Sequence, residues 1–211
     1  MNLFILFKEL KETFSLYSFI NASIIFFGYI LQSSFLQIYF YYSTNEVKGT
    51  REWKIQNKNA HNLGLFWAVP FLSEKKPGRA ENHVLITTMN LVTASLFAFI
   101  ITELCMNGYS KMSFNSDYSY VSTIKDILII VSYENIMEYY WHRLLHSKIM
   151  YKNFHKYHHF YKAPEPWDDM YIHPLEAVAY YCILYSPPFL FKIHFISFLG
   201  YMVIMGLCGV I

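Results

Sequence analysis

The chain has 211 residues, a length that suits a single domain. It is 55% hydrophobic and only 15% charged, whereas soluble domains carry about 25% charged residues. The formal net charge of +2 is too small to favour a nucleic-acid partner. Three widely separated cysteines, with no CxxC pair, indicate reduced packing residues rather than a disulfide framework.

Two uncharged runs predict membrane-spanning helices. Residues 13–45 contain no charged side chain, and their core, residues 16–42, is long enough to cross an apolar layer of about 30 Å as a helix. The run is too long for the apolar region of a signal peptide. Residues 84–102 form a second uncharged run of 19 residues. The alternative for the first run is a buried helix of a soluble protein.

A third apolar stretch, residues 121–141, carries four charged side chains and cannot face lipid on all sides. We expect its polar stripe to face the protein interior. Two further apolar runs, residues 177–191 and 193–211, predict a helical hairpin in the membrane. Pro187 and Pro188 should break the first of these runs.

The distribution of Lys and Arg predicts the orientation. The connection 43–82 carries seven Lys and Arg residues, and the connection 103–120 carries one. Residues 142–164 are basic and contain no acid. By the positive-inside rule, both basic stretches lie on the cytosolic side. The sequence therefore predicts an all-α fold, an integral membrane helical bundle with a cytosolic, histidine-rich helical cap.

Five histidines have the spacing of metal ligands on helices. The first pair, His142 and His146, is four residues apart and shares one helical face. The second group lies at i, i+3 and i+4 and also shares a face: His155, His158 and His159. The two faces together predict a nitrogen-rich metal site, and imidazole suits iron, zinc or copper. A zinc protease is excluded, because the first pair encloses Arg-Leu-Leu and lacks the glutamate base.

Other side chains near these histidines are candidates for the same site. His173 follows closely and precedes a proline that favours an extended backbone, so we predict that it binds the metal or lies beside its ligands. Glu134 and Glu138 continue the stripe of the first pair at four-residue spacing, as possible ligands or as acceptors for a ligand's N–H. For Asp168 and Asp169, helix capping or solvation is favoured over metal binding. The predicted metal ligands are His142, His146, His155, His158, His159 and His173; the sequence assigns no further catalytic residue.

These motifs resemble one known group of proteins. The residues that carry the resemblance are Glu134, His142-Arg-Leu-Leu-His146, His155-Lys-Tyr-His-His159 and Tyr171-Ile-His-Pro-Leu-Glu176, with Ala163-Pro164 and Trp53-Lys-Ile-Gln56. In this order they resemble the fatty acid hydroxylase/sterol desaturase superfamily, above all its methylsterol oxidase branch and the related fatty-acid-hydroxylase-domain proteins.

The resemblance implies a lipid-modifying oxidoreductase of the sterol or fatty acyl hydroxylase, oxidase or desaturase class, active in lipid or sterol biosynthesis. It implies a multi-pass protein of the endoplasmic reticulum membrane with cytosolic histidine boxes. It also implies a histidine-bound di-iron centre, with zinc as a possible substitute on purification, molecular oxygen, a lipid substrate from the bilayer and a cytochrome b5-type electron donor. Residues 1–120 would form N-terminal membrane helices and connecting loops, and residues 121–211 a truncated fatty-acid-hydroxylase-like domain.

One departure from the family pattern limits these expectations. The family carries a third HxxHH cluster, which is absent from this chain. Two ions of five- or six-fold coordination need about eight to ten ligands, and the chain offers five box histidines and His173. We therefore expect this chain to be incomplete and inactive alone. The alternative is a non-catalytic membrane protein that retains the fold and binds one metal or none.

Overall fold

The computed structural model describes residues 14–39, 82–116, 118–161 and 164–210. Most of the basic connection 43–82, the motif at residues 53–56 and Ala163 lie outside this part of the chain.

The described residues form helices and contain no strand, which confirms the all-α prediction; a single isolated bridge joins Ser113 to His194. The helices predicted from the three longest apolar stretches are all present, each with ends a few residues from the predicted ones. The elements in chain order are α1 (Leu16–Gln37), α2 (His83–Met106), α3 (Tyr120–Leu145), α4 (Lys148–Met150), a π-helical turn (Tyr151–His155), a 3-10 turn (Pro166–Asp168), α5 (Pro174–Leu184), α6 (Pro187–Leu190) and α7 (Phe195–Val210).

Local chemistry fixes where these helices begin and end. Ser119 begins α3 with a capping box, in which its hydroxyl accepts from the backbone N–H of Ser122. The predicted break at Pro187 and Pro188 is confirmed, since α5 ends at Leu184 and a separate short helix begins at Pro187. As a result α5 has 11 residues and is shorter than the predicted apolar run.

The main core lies where α2, α3, α5 and α7 meet. Helix α2 packs along α1 on one side and contacts α5 on another, while α3 packs against α7. Small side chains on α2, Ala94 and Ala98, are buried and allow close approach of the neighbouring helices. The buried apolar members of this core are Ala94, Ala98, Ile130, Ala177, Tyr181, Tyr185, Ile193, Phe198 and Tyr201.

Two described helices are long and apolar enough to cross a membrane. They are α1, with 22 residues and a mean hydropathy of 1.5, and α2, with 24 residues and a mean hydropathy of 2.1. Helix α1 leaves large apolar side chains uncovered, with Leu31 70% and Phe35 64% exposed, as expected of a lipid-facing surface. Helices α3, α5 and α7 do not meet the same criterion, so the predicted third crossing and membrane hairpin remain predictions. The expectation that the polar stripe of α3 faces inward holds for Glu134, which is fully buried.

The segment 165–172 is anchored at one end of the α1–α2 pair. Gln37, at the end of α1, donates from Nε2 to Glu165 Oε2 over 2.9 Å. His83, at the start of α2, contacts Asp168 Oδ1 over 3.0 Å. Trp167 is only 1% exposed and packs edge-on against Tyr29. The chain leaving this segment, which begins α5, is therefore held by both N-terminal helices.

Asn90 of α2 makes two hydrogen bonds to this segment with one side-chain nitrogen. Its Nδ2 donates to the carbonyl oxygens of Met170 (2.9 Å) and Ile172 (2.8 Å). Asn90 itself is fully buried, so no water reaches the two carbonyls from the side of its side chain.

We predict that Asn90→Leu lowers the free energy of unfolding by roughly 2–4 kcal/mol, because two partly buried backbone carbonyls lose their donor. Asn135→Leu is the matched control, since exposed Asn135 bonds only within its own helix, to Val131 O; its effect should stay within about 0.5 kcal/mol. Denaturation followed by circular dichroism in mild detergent measures both, and equal losses would contradict this role for Asn90.

Candidate metal centre

Helix α3 carries the first two histidines at its C-terminal end. His142 lies in its last turn and His146 caps it, with the backbone N–H of His146 bonded to the carbonyl of His142. Their rings lie side by side, with centroids 4.9 Å apart. His142 is partly buried, whereas His146 is exposed, so the pair reaches from the protein interior to its surface.

A π-helical turn presents the second group. The backbone N–H of Lys156 donates to the carbonyl of Tyr151 over 3.0 Å, which is the i→i+5 bond of a π-helix. The turn ends at His155, which is fully buried, and His159 follows one helical turn later. His155 and His159 therefore point back towards the end of α3.

Four histidine nitrogens converge on one place. Nε2 of His142 lies 3.1 Å from Nε2 of His146, and Nε2 of His159 lies 3.2 Å from Nε2 of His146 and 3.1 Å from Nε2 of His155. The ligand atoms of all four residues lie within 4.8 Å of one another. The predicted approach of the two histidine boxes is thus present for these four side chains.

These separations fit the donor set of one metal ion. With metal–nitrogen bonds of about 2.0–2.1 Å, neighbouring imidazole ligands of one ion stand roughly 2.9–3.4 Å apart. Imidazole nitrogens bind iron and zinc alike. Among the described residues, the four Nε2 atoms have only one another as close polar partners at this spot, and a shared ion would satisfy all four lone pairs together.

A carboxylate fixes the orientation of the most buried ring. His155 Nδ1 lies 2.7 Å from Glu176 Oε1, and both residues are buried. When Nδ1–H donates to this carboxylate, Nε2 keeps its lone pair and faces the other three nitrogens. Burial raises the pKa of Glu176 to about 7. Burial and four neighbouring imidazoles lower the pKa of His155 to about 3, so this ring is neutral at pH 7.

Two of the surrounding rings, those of His142 and His159, also favour the neutral form. Burial, reinforced by the neighbouring histidines, lowers the pKa values of His142 and His159, although Glu138 acts in the opposite direction on His142. Since only neutral imidazole binds metal, the site is ready for an ion at neutral pH without releasing protons from these rings.

Two predicted ligands lie outside the group of four. His158 stacks on His155, with ring centroids 5.3 Å apart and planes 16° from parallel, and burial lowers its pKa to about 4. His173 caps α5, where its Nδ1 accepts from the backbone N–H of Leu175, and its ring packs edge-on against Phe154. Metal binding by His158 and His173 stays a prediction.

The capping alternative for Asp168 agrees with the structure. Asp168 Oδ2 accepts from the backbone N–H of Glu165 over 2.9 Å, within the 3-10 turn, while Oδ1 meets His83.

Sequence reasoning missed two residues of the site. Glu176 was part of the His-Pro-Leu-Glu motif but was assigned no role, although a glutamate in a histidine motif is a candidate acceptor. Tyr151 lies against three of the four rings, with centroids 5.7 Å from His146, 6.1 Å from His155 and 5.9 Å from His159. No spacing rule would have found it.

Comparison with known proteins points to the same region. Residues 127–211 match the fatty acid hydroxylase family. Lathosterol oxidase of Rattus norvegicus is 25% identical over 131 residues, which cover 61% of this chain and 44% of that protein. Methylsterol monooxygenase 1 of Rattus norvegicus is 29% identical over 123 residues, which cover 54% of this chain and 42% of that protein.

A shorter match has higher identity. Fatty acid hydroxylase domain-containing protein 2 of Macaca fascicularis is 42% identical over 54 residues, which cover 26% of this chain and 16% of that protein. The matched region covers less than half the length of the first curated relatives. No solved structure matches the chain significantly.

The family match contains all four converging histidines and Glu176. The resemblance to the fatty acid hydroxylase/sterol desaturase superfamily is therefore confirmed for residues 127–211, the part of the chain that carries the cluster.

Proposed function

We propose that this chain is the histidine-bearing part of a lipid-modifying oxidoreductase that acts on a sterol or fatty acyl substrate with iron and molecular oxygen. Its relatives named for oxidising or desaturating sterols support an oxidoreductase. The observation that carries the proposal is the convergence of four imidazoles, one of them oriented by Glu176.

In this proposal His142, His146, His155 and His159 hold one iron. Bound iron would supply the one-electron and oxygen chemistry that attack on an unactivated lipid C–H bond requires. Burial lowers the pKa values of His142, His155 and His159 and so favours their neutral forms. Glu176 holds His155 in the tautomer that directs Nε2 to the cluster. The exposed side chains of His146 and His159 leave one side of the cluster open to small molecules. A di-iron centre would need ligands for the second ion beyond these four.

Membrane geometry supports the substrate class and location. Helices α1 and α2 present apolar surface for a bilayer. The segment 165–172, which follows the histidine boxes in the chain, is bound at the end of this pair where α1 ends and α2 begins. We propose an endoplasmic reticulum, multi-pass protein whose cluster is cytosolic and receives lipid from the adjacent leaflet.

Exposed basic side chains support an acidic electron donor. Arg143, Lys148, Lys152 and Lys156 are all exposed on the elements that carry the cluster. A positive surface attracts an acidic partner over distances of about a Debye length, as a cytochrome b5-type donor would require.

The catalytic proposal is tested by expressing the natural protein that carries this chain in cells and measuring sterols and fatty acyl lipids by mass spectrometry. We expect oxidised lipid that is lost with His159→Ala, because the cluster loses a ligand, and retained with His194→Gln, whose side chain lies at the start of α7. Unchanged lipids in wild-type and variant cells would contradict an enzyme and favour the non-catalytic alternative.

Metal binding gives a direct test of the cluster. We predict that the chain, purified in mild detergent and loaded with Fe²⁺ or Zn²⁺, retains an ion that His146→Ala and His159→Ala lose, because each removes one of four converging nitrogens. His194→Gln should retain the ion, since His194 stacks on Tyr118 just before the start of α3, whereas the cluster lies at the end of that helix. Elemental analysis with protein quantification measures the ratio, and equal metal content in all variants would contradict the four-histidine site.

Glu176 is predicted to set metal affinity through His155. Glu176→Ala removes the acceptor of Nδ1–H and should weaken metal binding by roughly 10–100-fold. Glu176→Gln keeps an oxygen acceptor without charge and should weaken binding less. Competition with a chelating dye measures both affinities; equal affinity in wild type and Glu176→Ala would show that the 2.7 Å contact does not orient the ligand.

Membrane integration is tested by extraction. We predict that the chain stays in the membrane pellet in alkaline carbonate and in high salt and is released only by detergent, because α1 and α2 are long enough to span the apolar layer. Immunoblotting of pellet and supernatant measures the partition, and complete release by carbonate would argue for peripheral attachment.

A further inference from the structure

Tyr151 lies against the two exposed rings of the four-histidine cluster. Its ring centroid is 5.7 Å from that of His146, 5.9 Å from that of His159 and 6.1 Å from that of His155. In the described part of the chain, all of its ring neighbours are therefore members of the cluster. Tyr151 is only 38% exposed, so most of its surface is covered although His146 and His159 are exposed.

The tilt of the Tyr151 ring fits both exposed histidines. Its plane is 30° from that of His146 and 31° from that of His159, whereas it is 75° from that of His155. The planes of His146 and His159 are themselves 60° apart. Tyr151 thus packs at a shallow tilt on two rings and edge-on to the third, so one flat side chain restrains the two rings that solvent reaches.

Among the residues that the structure describes, these two rings lack the acceptor that orients His155. Glu176 faces Nδ1 of His155, whereas His146 and His159 make side-chain hydrogen-bond contacts only through Nε2, to other members of the cluster. A metal-bound histidine usually has an acceptor at its other ring nitrogen. The torsion that turns a histidine ring is broad and roughly two-fold, so an exposed ring without that acceptor needs packing to keep Nε2 directed to an ion.

The backbone of Tyr151 is fixed between the two histidine boxes. Its N–H donates to Ser147 O over 2.8 Å, and its carbonyl accepts from the N–H of Lys156 over 3.0 Å. Both bonds belong to the main chain, so they hold the ring beside the cluster and do not depend on the identity of the side chain. A substitution at this position therefore isolates the effect of the ring.

We propose that Tyr151 is a positioning residue of the metal centre, whose ring holds His146 and His159 with Nε2 directed to the ion. This inference rests on the proposed function and deepens it, because it identifies what keeps the two exposed ligands in place. Without the Tyr151 ring, each histidine ring gains about two to three orientations, and the fraction of chains with both nitrogens in place falls roughly 4–9-fold.

The test compares Co²⁺ binding by the full chain in mild detergent, with a competing chelating dye for affinity and visible absorption for the ligand field. We expect Tyr151→Leu to bind Co²⁺ roughly 4–9-fold more weakly and with a changed absorption band. Tyr151→Phe keeps the ring and should match wild type. Equal affinity and absorption in wild type and Tyr151→Leu would overturn the proposal. An equal loss in Tyr151→Phe would also overturn it, because the effect would then belong to the hydroxyl group.

Tyr157→Leu is the matched control. The Tyr157 ring packs on His173 and Tyr171, and among the described residues it contacts none of the four converging rings. This variant should keep the wild-type Co²⁺ affinity and absorption band even if its unfolding temperature falls, which separates positioning of the ligands from a general loss of stability. Tyr151→Met repeats the comparison if Tyr151→Leu does not fold.

Nuclear magnetic resonance of the metal-free chain with isotope-labelled histidine is the second measurement. Loss of the aromatic ring current in Tyr151→Leu should shift the ring signals of His146 and His159, while those of His194, at the other end of α3, stay in place. Unshifted signals of His146 and His159 would overturn the proposal. Absence of Co²⁺ binding by wild type would instead contradict the four-histidine site of the proposed function, and with it a metal role for Tyr151, even if these shifts are present.

Discussion

The hydrogen bond between His155 Nδ1 and Glu176 Oε1 is the interaction on which the site depends. It joins the π-helical turn to the first turn of α5, two segments that are otherwise separate parts of the chain. Because it directs Nε2 of His155 to the other imidazoles, the position of α5 controls the geometry of the cluster. His173 caps α5 and so fixes where this helix begins. This cap gives a structural explanation for a histidine at position 173 of the His-Pro-Leu-Glu motif.

The N-terminal helices support this interaction from a distance. They contribute no member of the four-histidine cluster, yet Asn90, His83 and Gln37 bind the segment that leads into α5. The contacts of His83 and Gln37 are buried, and that of Asn90 is partly buried. Buried hydrogen bonds between polar groups hold their partners in one arrangement, because alternatives leave unpaired groups. The same two helices carry the apolar outer surface suited to lipid. The apolar outer surface and the geometry of the histidine cluster are therefore linked through one helical pair.

The histidine spacing predicted a shared face for His155, His158 and His159, and the structure selects two of them. The i→i+5 bond at Tyr151 changes the direction in which this segment presents its side chains, so that His155 and His159 converge with α3 while His158 stacks behind His155. A π-helical turn leaves no reliable pattern in the sequence, because its residues are compatible with an α-helix. The spacing therefore predicted which histidines share a region, and the backbone decided which nitrogens meet.

The sequence by itself determined the helical class, the two apolar spans, the break before Pro187 and the location of the histidine site, because composition, charge and short-range spacing act within one helix. Only the tertiary structure decided that Glu176 orients His155, that Asn90 holds the segment before α5 and that Glu134 is fully buried. These contacts join residues 21 or more positions apart or depend on how several helices pack together. Burial and pairing between residues so far apart depend on how the helices pack. The spacing of residues within one helix carries no information about that packing.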